Sequence, residues 1–226
     1  MAISEKIALP LAGASPMKRE VTAEEFPQLF AALIDQFDQS IAPSAQPEFA
    51  GSETGTPLEH TTRIHFLDEL VALLGWSLGL GGDMAEEARI KGNTTKFMDY
   101  LGVEADTKTP ALLIEAKAWD KPFLEPRVKD AFEAPTLLGQ AINHWRNGGK
   151  AAQSPLAGQW HAHIEQVGGY VKTLKEQYGH TLPRAVITSG QWIIVFLDPV
   201  QAFVEGPVED IKIKIFHKQN FKAQAG

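Results

Sequence analysis

The chain predicts an α/β protein in which helices flank a mixed sheet, and three observations carry that expectation. Helix-patterned and strand-patterned segments follow one another in the order helix, three strands, helices, strands. The run Ala111-Leu112-Leu113-Ile114 is uninterruptedly apolar before Glu115-Ala116-Lys117, the pattern of a strand covered on both faces. Two later runs, Ala185–Thr188 and Trp192–Leu197, are joined through Ser189-Gly190, a hairpin signature.

The elements follow in order. Residues 1–19 are Pro/Gly/Ala-rich and are expected to be poorly ordered or strapped to a neighbour. Residues 22–41 read as a helix, with Thr22 as N-cap and Glu25 three positions later completing a capping box. Pro43, Pro47, Gly51 and Gly55 mark 42–56 as a loop. A second helix runs over 57–75, capped by Thr56, opened by Pro57 and ended by Gly75. Strands are expected near Arg89–Lys91, through Phe97–Val103 and through Ala111–Lys117. Helices follow over 133–146 and 159–178, the second despite Gly168-Gly169. A last strand is expected over Ile211–Phe216.

At 226 residues and 44% hydrophobic, the chain holds enough apolar surface for one core. We divide it into an N-terminal arm with one helix (1–50) and a main domain (51–226). The absence of cysteine excludes a disulfide framework and a thiolate metal site, and fits a reducing cytoplasm. No apolar run approaches the roughly 18 residues of a membrane span. The N-terminus lacks the basic-then-apolar pattern of a signal peptide, so a cytoplasmic location is expected.

The chemistry-bearing pattern is an acid, Asp99, sixteen positions before the Glu115-Ala116-Lys117 that ends the apolar strand. Two carboxylates can hold a hard cation through oxygen ligands. A lysine two residues after the second points the same way, because side chains alternate along a strand. Such a lysine can orient or deprotonate a water, or stabilise developing phosphate charge. The tripeptide alone is weak, since Asp/Glu-x-Lys also occurs at Asp106–Lys108 and Asp210–Lys212, and about one or two matches arise by chance. The first of these lies in a polar stretch ending in Pro110 and reads as a turn; the second opens an alternating, half-solvated strand.

If strands 97–103 and 111–117 form a hairpin turning about residue 107, Asp99 and Glu115 face each other at about 5 Å. Glu59 is a third candidate ligand. At about 100° per residue it falls within about 80° of Phe66, Leu67, Leu70 and Leu74, on the buried stripe together with Arg63, while Asp68 lies opposite. The bland alternative for Glu59 is a capping box with Thr56. Gln166 and Tyr170, four apart on a helix, share one face. Gly168-Gly169 between them costs about 1 kcal/mol each, which implies a close neighbour such as a backbone or a nucleic-acid strand. His161-Ala162-His163 is not a zinc pair, because i and i+2 diverge on a helix. No nucleotide-binding or serine-hydrolase motif occurs.

Net charge is −7, yet it is unevenly spread. Glu20 to Glu87 holds thirteen acidic residues and one basic, Arg63, whereas Arg89 to Lys129 holds eight basic and six acidic. The acidity thus lies away from the candidate site, although no basic stripe of the kind that drives strong phosphate binding is present.

Together these residues resemble the PD-(D/E)XK nuclease superfamily, and within it the N-terminal nuclease domain of type I restriction enzyme motor subunits and related fused restriction enzymes. Glu59-x3-Arg63 with the Leu74-Gly75-Trp76 end is similar to that family's first helix. Asp99-Tyr100 and Glu115-Ala116-Lys117 are similar to its metal motifs, Gln166-x3-Tyr170 to an element of its RecB-like branch, and Ala185–Phe196 to its late hairpin. Met98 stands where proline is common in the superfamily. The resemblance spans about residues 57–198. It implies an α/β/α sandwich with a mixed central sheet (restriction-endonuclease-like) of at least four strands. It also implies a Mg²⁺-dependent DNA endonuclease of a restriction or defence system, with Mn²⁺ as alternative cation. Asp99, Glu115 and Glu59 would be metal ligands, Lys117 would act on the water, and Gln166, Tyr170 and Arg63 would serve substrate binding. DNA and motor or methyltransferase domains are the implied partners. Two alternatives stay open: a non-cleaving nucleic-acid-binding or assembly module on the same fold, and a nuclease acting on RNA or single strands.

Overall fold

Among the described residues six strands make one sheet in the order β1-β2-β3-β4-β5-β6, each neighbour antiparallel except β3 and β4, which run parallel. The structure, a computed structural model, describes residues 21–41, 59–91, 95–128 and 132–223. The expectations for 1–19, for 42–56, for the Thr56-Pro57 start of the second helix and for a boundary at 50/51 lie outside those residues. The strands are β1 (Met84–Lys91), β2 (Thr95–Val103), β3 (Pro110–Ala116), β4 (Arg184–Thr188), β5 (Trp192–Phe196) and β6 (Ile213–His217). A parallel pair needs a long crossover. Here it contains α4 (Ala134–Arg146) and α5 (Trp160–Glu176).

Helices cover both faces, so the α/β expectation is met. One core cluster joins Leu137, Leu138, Ile142, Ile164, Val167 and Val171 of α4 and α5 to Leu113, Ala185, Ile187 and Ile194 of the sheet, with α6 (Pro199–Phe203) adding Val200 and Phe203. The other joins α1 (Phe26–Ile41), through Phe30, Leu33, Ile34 and Phe37, to Phe66, Leu67, Leu70 and Val71 and to the sheet residues Tyr100 and Ile114. The α1 helix therefore belongs to the core. Its start is the expected capping box: the Thr22 amide donates to Glu25 Oε2 at 3.0 Å and the Glu25 amide to Thr22 Oγ1 at 3.2 Å.

The second helix departs from the expected wheel. It runs as α2 (Glu59–Thr62), a π-helical turn (Arg63–Leu67) and α3 (Asp68–Leu73). A π turn inserts an extra residue and rotates everything beyond it. Leu74, placed by the wheel on the buried stripe, is 48% exposed, while Leu73 is buried. Asp68, placed opposite, instead accepts a hydrogen bond from the buried Tyr100 hydroxyl at 2.6 Å. Glu59 is likewise exposed rather than on the stripe.

The β2–β3 hairpin keeps the expected register: Tyr100 pairs with Ile114, Leu101 with Leu113 and Gly102 with Leu112, before a bulge at Gly102/Val103. Asp106–Lys108 lies in the turn, with Lys108 at φ 56°. Asp210–Lys212 does not open a strand. It forms a 3₁₀ turn, and the strand starts at Ile213. Lys212 reaches back to Asp198 at 3.2 Å, which explains why the alternation was interrupted there. Asp198 caps α6, accepting from the Gln201 amide, with Pro199 at its first position. That helix and α7 (Lys218–Ala223) extend the expected element list.

Candidate active site

The carboxyl end of β3 places the Glu115 and Lys117 side chains on one side, two residues apart. Both are buried, Glu115 at 1% and Lys117 at 4% exposure. Burying either charge alone would cost several kcal/mol, so they pair: Lys117 Nζ donates to Glu115 Oε1 at 2.6 Å. The Lys117 backbone is fixed as well, its amide donating to the Thr188 carbonyl of β4 at 2.7 Å. The other carboxylate oxygen, Glu115 Oε2, is buried and has no hydrogen-bond partner among the described residues. An orphaned carboxylate oxygen is expensive, about 1–3 kcal/mol or more, unless a ligand meets it.

Asp99 arrives from β2. Its ladder position is opposite Glu115 by continuation of the Tyr100–Ile114 register. Its Oδ2 accepts from the Ala116 amide at 2.8 Å and its Oδ1 lies 3.4 Å from Arg63 NH1. Arg63, at the start of the π turn, also contacts Glu87 at 3.5 Å and Glu86 at 3.9 Å. Its Nε is buried and has no hydrogen-bond partner among the described residues. Glu87 adopts φ 48°, a left-handed conformation unusual for a non-glycine residue. The strain lies beside Asp99, where it turns the Glu87 carboxylate onto Arg63.

The electrostatics follow from burial. Burial pushes the Glu115 carboxyl up to about 7; the Lys117 ammonium opposes the shift and Asp99 adds to it. Asp99 is raised for the same first reason, with the Ala116 amide and Arg63 opposing. Glu59 is raised by partial desolvation, with the Lys117 charge opposing and Asp99 adding. Glu59 therefore shares the field of the site. Among the described residues, however, no three His, Cys, Asp or Glu side chains are grouped so as to hold a metal. The structure joins Asp99, Glu115 and Lys117 and leaves Glu59 at the mouth.

Gln166 and Tyr170 form the wall on α5. Lys117 Nζ lies 3.4 Å from Gln166 Oε1, Gln166 Nε2 donates to the Tyr170 hydroxyl at 2.9 Å, and that hydroxyl donates to the Phe97 carbonyl at 2.5 Å. The relay ties Lys117 to strand β2. The two glycines between them have concrete neighbours. A Cβ on Gly168 would stand 2.4 Å from the Trp145 ring, and one on Gly169 would stand 2.4 Å from Lys96 Nζ.

Two residues that the sequence names, His163 and Tyr100, have surroundings that spacing does not show, and a third, Lys121, is not singled out by it. His163 is buried and held down to about 4 by burial, with Lys117 and Lys121 repelling its charged form. Its neutral ring packs edge-on to Trp160, with centroids 5.5 Å apart, and the helical spacing that argued against zinc gives no sign of this. Tyr100 hydrogen-bonds Asp68, which the π turn concealed. Lys121 acts on Glu59 and His163 and is held by Gln159 at 2.6 Å; only its position four residues after Lys117 hinted at it.

These residues fit a hard cation of the magnesium type. Magnesium keeps several waters and binds through one or two carboxylates plus substrate phosphate, and the site supplies Asp99 and the unpartnered Glu115 Oε2. In comparisons with known proteins, no family model, no curated protein and no solved structure matches the chain.

Proposed function

We propose that the chain is a Mg²⁺-dependent endonuclease domain acting on DNA, as part of a restriction or defence system with motor or methyltransferase partners. The observation that carries it is Glu115: one oxygen holds Lys117 at 2.6 Å and the other is buried and free, beside the opposed Asp99. A bound cation would polarise a phosphoryl oxygen and acidify a bound water. Asp99 and Glu115 would hold it, with Glu59 assisting through water from the mouth.

Lys117 has three protons to donate. Glu115 and Gln166 take two, which leaves one for the attacking water or a phosphate oxygen. Gln166, anchored through Tyr170, orients that ammonium. Arg63 holds Asp99 in place and presents a cation to the substrate side. Asp99→Ala and Lys117→Ala should retain the fold, by circular dichroism, and lose Mg²⁺- and Mn²⁺-dependent plasmid cleavage. Cleavage at the wild-type rate by either purified variant would refute the assignment.

One observation favours a second reading, a binding module that does not cut. Arg63 at 3.4 Å and Lys117 at 2.6 Å already neutralise the two carboxylates. That reading predicts no Mg²⁺ binding dependent on Asp99 and Glu115 in a calorimetric titration.

A further inference from the structure

Beside the Lys117–Gln166–Tyr170 relay, a cavity of about 460 Å³ opens between β2 and α5, lined by Thr95, Lys96, Phe97, Glu165, Gln166 and Tyr170. Its volume is that of a small-ligand site. Three features of its walls are unusual for solvent-facing residues. Phe97, on β2 and paired with Arg89 of the edge strand β1, is 52% exposed. The Arg89 guanidinium of β1 stands 5.4 Å from the Phe97 ring centroid. Lys96 Nζ stands 6.0 Å from the Tyr170 ring centroid, in the space left by Gly169, where a Cβ would fall 2.4 Å from it. The glycine that weakens α5 thus makes room for a cation at the cavity, and that cation is held over an aromatic face.

An exposed aromatic ring interleaved with Arg and Lys is the chemistry of a base-stacking platform. Each unpaired base offers a π face, and the cations meet the phosphate beside it. Glu165 and Gln166 supply acceptors, which suit the amino edge of a base and would repel a phosphate. This orients the base inward and the backbone toward Arg89 and Lys96. Duplex DNA offers no free base face, and its affinity comes chiefly from phosphates, for which this chain of net charge −7 has few cations.

Resting on the nuclease reading above, we infer that the Phe97 cavity is a subsite for an unpaired nucleotide, and that the strand presented to Glu115 and Lys117 is single-stranded DNA. Gln166 lines the cavity and also contacts Lys117, so a base seated on Phe97 lies one side chain from the site.

The test is fluorescence anisotropy of a labelled 12-nucleotide deoxyoligonucleotide, single-stranded and as a duplex, in EDTA so that nothing is cut. Phe97→Leu keeps an apolar residue on the strand and removes the π face. It should weaken single-strand binding about ten-fold, while Phe97→Trp binds at least as tightly as wild type. Wild type should prefer the single strand. Its affinity should fall with salt with a log–log slope near about −1.4, as for two phosphates. Thermal melting by circular dichroism confirms that both variants fold. The inference is overturned if Phe97→Leu binds within two-fold of wild type, if the duplex binds as tightly as the single strand, or if wild type shows no binding at 100-fold the probe concentration at low salt. These outcomes are independent of the metal. If single strands bind through Phe97 while calorimetry finds no Mg²⁺ site dependent on Asp99 and Glu115, the nuclease reading fails and the subsite stands.

Discussion

On the proposed metal reading, Glu115 would link cation binding to pH in a way that can be measured. Burial pushes its carboxyl up to about 7. A cation needs the carboxylate, so metal and proton compete for the same group. At pH 6 about nine in ten Glu115 carboxyls are protonated, and at pH 8 about one in ten. The apparent affinity for Mg²⁺ should therefore rise about ten-fold from pH 6 to pH 8. Binding should release about 0.9 proton at pH 6 and about 0.1 at pH 8. Stability has the opposite sign. The folded carboxyl holds its proton over a pH range in which the unfolded one has lost it. The stabilisation is full below the ordinary value of 4.5 and is lost as pH rises to about 7, by about 3 kcal/mol at most. Saturating Mg²⁺ should restore part of it at pH 8. Isothermal titration calorimetry in two buffers of different ionisation enthalpy reads the proton release, and urea denaturation with and without Mg²⁺ reads the stability. An Mg²⁺ affinity that changes less than two-fold across this range, or an unchanged dependence in Glu115→Gln, would refute the reasoning.

Other expectations follow from single contacts. Tyr100→Phe removes the 2.6 Å hydrogen bond to Asp68 and should destabilise the fold by about 1.5–3 kcal/mol in chemical denaturation, the range for bonds to charged groups. Gly168→Ala gains about 1 kcal/mol of helix propensity, but its Cβ meets the Trp145 ring at 2.4 Å and Phe203 at 3.0 Å. The net result should be a lowered melting temperature, whereas an increase would show that the indole moves freely. Finally, in the Lys117→Ala variant, which should not cleave, an unmodified oligonucleotide should tighten Mg²⁺ binding, and Mg²⁺ should tighten the oligonucleotide by the same factor, as linkage requires. Equal Mg²⁺ affinity with and without the strand would show that phosphate does not complete the metal site.

The hairpin was legible because its determinants are local. A covered apolar strand, a polar turn with Pro110 and a period of two fix the Tyr100–Ile114 register, and with it the juxtaposition of Asp99 and Glu115. The Glu115–Lys117 contact follows from alternation alone. The second helix was misread for the opposite reason. Its π turn has no signature in residue spacing, and one inserted position moved Leu74 outward and Asp68 inward. A wheel can be trusted only where every turn has the same pitch. The Gly168-Gly169 pair was read correctly as a site of close approach, but its partners, Trp145 and Lys96, come from other elements and are invisible to local spacing. The short α6 carried its signal openly in Asp198-Pro199, a cap followed by a first-position proline, and was overlooked because five residues give no periodicity.

The acidity of the chain and the phosphate chemistry of its candidate site can be reconciled through Arg63. Among thirteen acids between Glu20 and Glu87 it is the lone basic residue. It stands against Glu86, Glu87 and Asp99 together. A cation arriving at Asp99 need not expel Arg63 into solvent, because Glu86 and Glu87 remain within reach to hold it. Arg63 and Asp99 are only 14% and 16% exposed, so an unpaired charge there would be costly, and it is the contacts to Glu86 and Glu87 that would keep the guanidinium paired when the 3.4 Å contact is lost. Asp99 Oδ1 would then be free to join Glu115 Oε2 in holding the proposed cation, while Oδ2 would stay on the Ala116 amide and Arg63 on Glu86 and Glu87. The negative charge that weakens long-range attraction to nucleic acid extends to the site itself. Glu86 and Glu87 stand on Arg63 beside Asp99, and Glu59 shares the field of Lys117 and Asp99. On the proposed reading, a divalent ion would bring the positive charge that a phosphodiester needs.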